Sequence, residues 1–430
     1  MFFNFVTYII TQMSKRVFKF GGASIKDADS VRNILHVLSV SNFTDGIIVA
    51  SAMGKMTNAL EEVVRQYFDH KIFPEDVFRQ VKGFHTDICT ALFPDTNHSV
   101  FDKIETVFED LKNFMQSNQS PNYNFVYDQI VSCGEMLSTI ILSEFLQENG
   151  LDNIWIDAKN LIKTDNNYRD ANVDWAWTQK NIKEAISEDK IYLTQGFIGS
   201  DPNHFSVTLG REGSDYSAAI LAYCLNAESV AIWKDVPGVL NADPRHFEDT
   251  TLLQQISYKE AIEMAFYGAS VIHPKTLQPL QNKRIPLYVK SFVNPGLPGT
   301  SVSGGADLIP KTPIFIVKPN QILLSVSSRD FSFIVEKNIS QLFELFEQFR
   351  IKVNVIQNSA ISFSVCIEDK FGHFHQLLDK LNTKYKTTYN EDLTLYTIRH
   401  FNEESMQKVL QNKTVFLQQT NRETMQVVVK

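Results

Sequence analysis

Glycine is scarce here, with 18 residues in 430, about 4% against the ~7% usual in globular proteins. Its distribution is lopsided: seventeen lie before residue 306 and only Gly372 lies beyond it. Glycine kept in so poor a background points to places where the backbone must turn sharply or approach something closely. Cysteine is scarcer still. Cys89, Cys133, Cys224 and Cys366 stand far apart with no CxxC pair. That excludes a disulfide framework and a zinc site of the usual spacing, and fits a reducing, cytoplasmic setting. No protein-held metal is expected. Basic residues are in deficit, 41 against 49 acidic, for a net charge of −8. A general nucleic-acid binder normally carries the opposite balance.

Long apolar runs are missing too. Met1 to Ile10 is apolar, but ten residues are too few to span a bilayer, and no basic region precedes them. Residues 1–14 read as a disordered or spurious extension, with Met13 as an alternative start. No other stretch reads as a membrane helix, so neither a membrane nor a nucleic-acid partner is expected. What is present is a globular composition, 43% hydrophobic and 21% charged, long enough for two or three domains.

Along the chain, strands alternate with helices. Arg16–Phe20 reads as a strand running into Gly21-Gly22, and 27–39 as an amphipathic helix. Strands follow at 47–50, 154–157, 191–194, 205–209, 229–233 and 285–289. Between them lie helices at 124–148, 174–188, 214–225, 257–266 and 273–283. Ser257 and Glu260 form a capping-box pattern. This alternation predicts an α/β domain with a mostly parallel sheet sandwiched by helices, over 15–305. Residues 294–313 are dense in Pro and Gly and read as a linker. From 306 to 430 the pattern becomes βαββ repeated twice, predicting ferredoxin-like α+β modules. The C-terminal module reads as clipped, with little helix before Leu393.

Three glycine clusters fall at strand ends. In Lys19-Phe20-Gly21-Gly22-Ala23-Ser24 the paired glycines let successive N–H groups cradle phosphates, with the Lys19 charge beside them. It is neither a Walker loop nor a GxGxxG fingerprint, and a simple turn explains it as well. In Thr208-Leu209-Gly210-Arg211-Glu212-Gly213-Ser214-Asp215 a strand enters a helix, whose N-terminus favours anions, and Arg211 offers a bidentate grip. A plain N-cap by Ser214 or Asp215 is the alternative. The third, Trp233-Lys234-Asp235-Val236-Pro237-Gly238, is followed by Asp243-Pro244-Arg245, which also reads as a turn.

Taken in order, these segments resemble the aspartate kinases of the amino acid kinase family, from about Lys15 to the C-terminus. The family's KFGGTS reads Lys19 to Ser24, its SAMGxxTN reads Ser51 to Asn58, and its GE reads Gly134-Glu135. Its LGRGGSDYTA reads Leu209 to Ala218, and its DVPG…DPR reads Asp235 to Gly238 with Asp243 to Arg245. Its FGAxVxHP resembles Tyr267 to Pro274, its PGT reads Pro298 to Thr300, and the region beyond resembles paired ACT domains. Ala23 and Glu212 depart from the pattern, and some members carry Lys where Ser270 stands. Glu212 puts an acid beside an anion site.

The resemblance implies phosphorylation of the β-carboxylate of L-aspartate by ATP with Mg2+, the first step toward lysine, threonine and methionine. Lys19 would stabilise the transferring phosphoryl group, beside the Gly21 and Gly22 amides, and Asp215 would orient Lys19 or the substrate ammonium. Arg211 would clamp the α-carboxylate and Glu135 the amine, with Ser51, Thr57 and Ser214 lining the pocket. Ser24, Lys234, Asp235, Gly238, Asp243 and Arg245 would hold the nucleotide. Asn354, Gln357, Asn358 and Ser359 fall where the family binds its effector, leaving lysine, threonine or none open. ACT-like edges imply a homodimer or larger homo-oligomer. Because a carboxylate needs no general base, His273 reads as a helix start rather than a catalyst. Glu260 and Glu263 read as solvated or capping, and the Phe-rich run from Phe68 to Phe125 as core or dimer packing. Two rivals stand beside this reading: a same-fold kinase for glutamate, acetylglutamate or a nucleotide, and a non-catalytic amino-acid sensor.

Overall fold

The computed structural model describes residues 15–70, 72–269, 272–330 and 332–430. The extension 1–14 and Ser270 lie outside the described residues. The chain forms two compact units. One comprises the chain up to Val239 with Leu252–Ile262 and Val271–Leu308; the other comprises Leu240–Thr251, Glu263–Ser270 and Ile309–Lys430. A boundary near residue 305 therefore misses two short segments, 240–251 and 263–270, that group with the second unit.

The first unit is built on an eight-stranded sheet. Its spatial order is Asn153–Ile156, Ile191–Gln195, Gly46–Ala50, Arg16–Phe20, Ser229–Lys234, Leu287–Ser291, Thr300–Ser303, Gln255–Ser257. Every pairing is parallel except that of Thr300–Ser303 with Leu287–Ser291. The central strands are buried along their length except at Arg16, which is half-buried, as expected when helices cover both faces. Arg16–Phe20 pairs with Gly46–Ala50 on one side and Ser229–Lys234 on the other, so the strand order switches at this strand. Crevices at such switch points, at the carboxyl ends of strands, are where open α/β sheets bind ligands.

Helices Met56–His70, Glu75–Leu92 and Ser99–Ser117 carry the Phe-rich stretch. Phe78, Phe93 and Phe108 are buried, and Phe78 meets Phe108 edge-on at 5.6 Å. Each such side chain contributes about 1.5–3 kcal/mol by leaving water. Tyr123–Val131 and Cys133–Glu148 follow as a nearly continuous helical run. Contrary to the expectation from sequence, this run is long and apolar enough by length and composition to cross a membrane. Most of it is buried in the core of this unit, and that burial accounts for its apolarity.

The second unit carries a six-stranded antiparallel sheet, ordered Lys352–Asn358, Ser362–Glu368, Ile314–Ser327, Lys386–Arg399, Thr424–Val429, Val415–Thr420. The two central strands have 14 residues each and pair along most of that length, with irregularities between Lys318 and Leu323. Each strand serves both modules. Ile322, Leu324 and Val326 enter a core with Phe346, Phe363 and Leu377. Phe315 enters another with Ile398, Val409 and Val427. The C-terminal module, clipped by its sequence pattern, has one helix, Glu403–Leu410, and takes its fourth strand from the start of Ile314–Ser327. A strand contributed from so far upstream leaves no local signal beside Leu393.

Candidate active site

An open cleft of about 480 Å³ lies at the carboxyl ends of the central strands in the first unit. Lys19 is the penultimate residue of the strand Arg16–Phe20, and its side chain is buried. Its ammonium meets Asp215 Oδ1 at 2.6 Å. Lys234, at the end of the adjacent strand, meets the other oxygen, Oδ2, at 3.4 Å. Asp215 sits in the first turn of helix Gly213–Leu225, where a carboxylate gains from the helix dipole. Burial alone would raise the Asp215 carboxyl, but the Lys19 and Lys234 charges outweigh it and hold the carboxyl below its usual range. The three groups together carry one net positive charge.

Gly22 follows at a close approach. A Cβ there would come within 2.8 Å of the Ala52 and Gly54 carbonyl oxygens, and the Gly54 N–H donates to the Gly22 carbonyl at 3.0 Å. This is the contact that brings the SAMG segment against the first strand. Ser51 and Thr57 thereby reach the same cleft.

Glu135 lies in the first turn of helix Cys133–Glu148. Gly134 lets that helix approach, since a Cβ there would stand 3.0 Å from the Ala52 methyl. Glu135 Oε1 accepts from the Ala52 N–H at 3.3 Å, whereas Oε2 is buried without a hydrogen-bond partner. Burial pushes the Glu135 carboxyl up to about 8, against the pull of the Ala52 N–H and the Lys19 charge. A buried, half-satisfied carboxyl in a cleft is poised for a cationic partner.

Arg211, Glu212 and Ser214 line the cleft as well. Glu212 adopts a left-handed backbone, φ 53°, where the family pattern has glycine, and its Oε2 is buried and unpartnered. Burial lowers the His273 imidazole. Its Nδ1 accepts from the Lys275 N–H at 3.2 Å, so it caps helix Pro274–Lys283 as expected. Glu260 takes the Ser257 cap through its own N–H at 3.0 Å. Glu263 lies 3.7 Å from Arg399 in an ion pair rather than solvated.

Of the residues named from the sequence, Lys19, Gly22, Ser51, Thr57, Glu135, Arg211, Ser214, Asp215 and Lys234 line this one cleft. Others do not. Ser24 is buried and donates to the Trp233 carbonyl at 3.1 Å, tying two strand ends together. Gly21 adjoins Lys19, its Cβ position 3.5 Å from the ammonium. Asp235 and Gly238 follow Lys234 outside the lining, Gly238 packing against Thr300. Asp243 and Arg245 belong to the second unit and bind each other in a bidentate pair at 2.6–3.0 Å.

Sequence reasoning did not single out Tyr127, Arg169, Phe197 or Thr208, all of which line the cleft. Phe197 is brought in from the turn after Ile191–Gln195, where its N–H meets Ser217 Oγ at 2.9 Å. Thr208 is fixed by Asp128, which accepts from its N–H at 2.9 Å and its hydroxyl at 2.8 Å.

In the second unit, strand Lys352–Asn358 lies at a sheet edge with Gln357, Asn358 and Ser359 exposed. Asn354 turns inward instead. It accepts from the Lys318 ammonium at 2.8 Å and donates to Gln321 at 2.8 Å. Burial lowers Lys318 to about 8.

The amino acid kinase family pattern matches residues 14–291. A bifunctional aspartokinase/homoserine dehydrogenase of Buchnera aphidicola is 35% identical over 301 residues, 67% of this chain and 36% of that protein. The lysine-sensitive aspartokinase 3 of Escherichia coli is 30% identical over 358 residues, 82% of this chain and 78% of that one. Solved structures of E. coli aspartokinase III superpose with TM-scores of 0.79 (with lysine and aspartate, T-state) and 0.78 (with aspartate and ADP, R-state). Their identities are 25% and 26%, and 96% of both chains is covered. The chain spans little more than a third of the bifunctional relatives it matches.

Proposed function

Because the chain belongs to the amino acid kinase family, and within it to the aspartokinases, we propose that it transfers the γ-phosphoryl group of ATP to the β-carboxylate of L-aspartate. The observation that carries this reading is the buried Lys19–Asp215–Lys234 cluster beside Glu135 and Arg211 in one cleft. A net positive cluster suits a polyphosphate. An acid facing a guanidinium suits an amino acid that brings an ammonium and a second carboxylate.

The acceptor carboxylate is ionised at neutral pH, so no side chain need remove a proton. Its oxygen attacks the γ-phosphorus in line, the bond from phosphorus to the bridging oxygen breaks, and ADP leaves with that electron pair. The task is to hold two anions together and offset the charge of the transition state. Lys19 does this at the phosphoryl group, and Asp215 fixes its ammonium between the two strand ends. Lys234 adds a second charge on the nucleotide side. Glu135 and Arg211 set the acceptor's ends. Among the described residues no cluster of three or more His, Cys, Asp or Glu can cage a metal, and Asp215 is engaged by two lysines. Magnesium therefore fits this site only through the nucleotide phosphates and water, where it would neutralise phosphate charge.

Feedback control through the second unit is part of the same proposal, since the E. coli relative is described as lysine-sensitive and has been solved with lysine. The outer strands Lys352–Asn358 and Val415–Thr420 each pair on one side only, which supports assembly between copies through these edges.

The test is ADP release with ATP and Mg2+ against L-aspartate, L-glutamate, N-acetylglutamate and uridine monophosphate, with hydroxylamine to trap an acyl phosphate. Turnover and trapping with aspartate alone are expected. Background turnover with aspartate removes the proposal.

A further inference from the structure

The cleft carries a second guanidinium that no motif announces. Arg169 lines it together with Ser51, Thr57, Glu135 and Arg211. Its guanidinium lies 4.2 Å from the centroid of the Tyr127 ring, which also lines the cleft, and 5.9 Å from that of Tyr123. Tyr127 is buried, and its hydroxyl donates to Glu61 at 2.5 Å, so the stacking platform is fixed. A planar guanidinium laid on a fixed ring loses little further freedom when it binds an anion.

The backbone beneath it is equally constrained. Arg169 has φ 73°, a conformation that L side chains rarely adopt. Its N–H donates to Asp128 Oδ2 at 3.0 Å, an oxygen that also accepts from the Thr208 N–H at 2.9 Å. On its other side Asp170 pairs with Lys275, and the Ala171 N–H donates to the Thr208 carbonyl at 3.2 Å. The Arg169 carbonyl oxygen lies 3.3 Å from the Cβ position of Gly210. Arg169 and Arg211 thus flank Gly210 from two separate segments of chain.

Their ion pairing differs from that of the lysines. Lys19 and Lys234 are both paired with Asp215. Among the described residues, Arg169 has no carboxylate oxygen within the 4.0 Å of an ion pair. Glu212 brings an extra negative charge to the wall that Arg211 occupies. An acidic substrate entering there meets Arg211 with the Glu212 carboxylate in the same lining, and a second cation offsets that added negative charge.

We infer that Arg169 is a specificity residue of the acceptor subsite, gripping the α-carboxylate of the amino acid jointly with Arg211 while the ammonium faces Glu135. The inference rests on the aspartate-kinase reading of the cleft. It assigns the two carboxylates of the acceptor to different ends: one to the guanidinium pair, the other left free beside Lys19 to react.

The experiment compares Arg169→Gly and Arg169→Lys with the wild type, measuring kcat, KM for aspartate and KM for ATP, together with calorimetric binding of L-aspartate. Glycine adopts the same backbone without strain, so Arg169→Gly removes the guanidinium and keeps the loop. The expected result is a rise in aspartate KM and Kd of about 10- to 100-fold in Arg169→Gly and a smaller rise in Arg169→Lys, with kcat and ATP KM within about twofold. Unchanged aspartate KM and Kd in Arg169→Gly overturn the inference while leaving the kinase reading intact. A fall in kcat and thermal stability with unchanged aspartate affinity assigns Arg169 a structural role and also overturns it. A wild type that neither binds nor phosphorylates aspartate overturns both.

Discussion

Lys19 and Asp215 lie 2.6 Å apart, both buried, and come from strand Arg16–Phe20 and helix Gly213–Leu225, nearly 200 residues later. Asp215 in turn holds Lys234, so one carboxylate fixes two ammonium groups at neighbouring strand ends. Lys19→Ala is expected to lower kcat about 100- to 1,000-fold with a modest change in aspartate KM, the loss typical of one transition-state donor. Steady-state kinetics checks this, with a thermal melt to show that Asp215, still paired to Lys234, keeps the fold.

Arg211→Ala acts on binding. Removing one charge-assisted pair to a carboxylate is expected to raise aspartate KM about 10- to 100-fold, with kcat little changed. An unchanged KM takes Arg211 out of the acceptor site.

Glu135 links binding to pH. The free glutamate titrates near 4.5, whereas burial raises it to about 8 in the fold. Between those values the folded chain keeps a proton that the unfolded chain has lost. The stability this contributes is complete below about pH 4.5 and is lost as pH rises through 8. Asp128, raised by burial to about 6, runs its course at lower pH. The melting temperature of the ligand-free protein should therefore fall between pH 7 and 8.5 more steeply in wild type than in Glu135→Gln. An ammonium seated at Glu135 ionises it, so aspartate binding at pH 7 should release a proton. Calorimetry in buffers of different ionisation enthalpy detects that release, and Glu135→Gln should abolish it.

Glu212→Gly is expected to improve the protein twice over. Relieving a left-handed backbone gains about 1 kcal/mol, or roughly 2 °C in melting temperature for a domain of this size. Removing an acid beside Arg211 should also lower aspartate KM. A higher KM would instead make Glu212 a contact of the substrate ammonium.

The proposed effector site includes Asn354, whose amide already bonds Lys318 and Gln321. A ligand using Asn354 must displace those bonds, so Lys318→Ala should change the response to lysine or threonine without changing activity in their absence. Titration of each amino acid against both proteins checks it, and a flat response throughout means a silent region.

The legible parts of the site were those written locally. Lys19 with its paired glycines, Gly134-Glu135, and the run from Leu209 to Asp215 each place a chemical group beside the backbone feature that positions it. Tyr127, Arg169 and Phe197 carry no such companion. They reach the cleft through tertiary contacts, Arg169 through Asp128 and Phe197 through Ser217. The reverse also occurs: Ser24 and the Asp243–Arg245 pair sit inside motif-like segments, yet their hydrogen bonds turn them to one another or to the backbone. The parallel sheet followed from strand–helix alternation. The membrane-length apolarity of Tyr123–Glu148 did not stand out, because polar residues such as Asp128, Gln129 and Glu135 interrupt it at short intervals.

The two 14-residue strands of the second unit make its modules inseparable. Ile314–Ser327 supplies one module with its beginning and the other with its end, and Lys386–Arg399 does the same in reverse order. A chain cut between them would yield two broken halves rather than one intact module and one lost. Recombination can therefore gain, shed or exchange this region only as a whole, and any signal that loosens one half is felt along a shared backbone by the other.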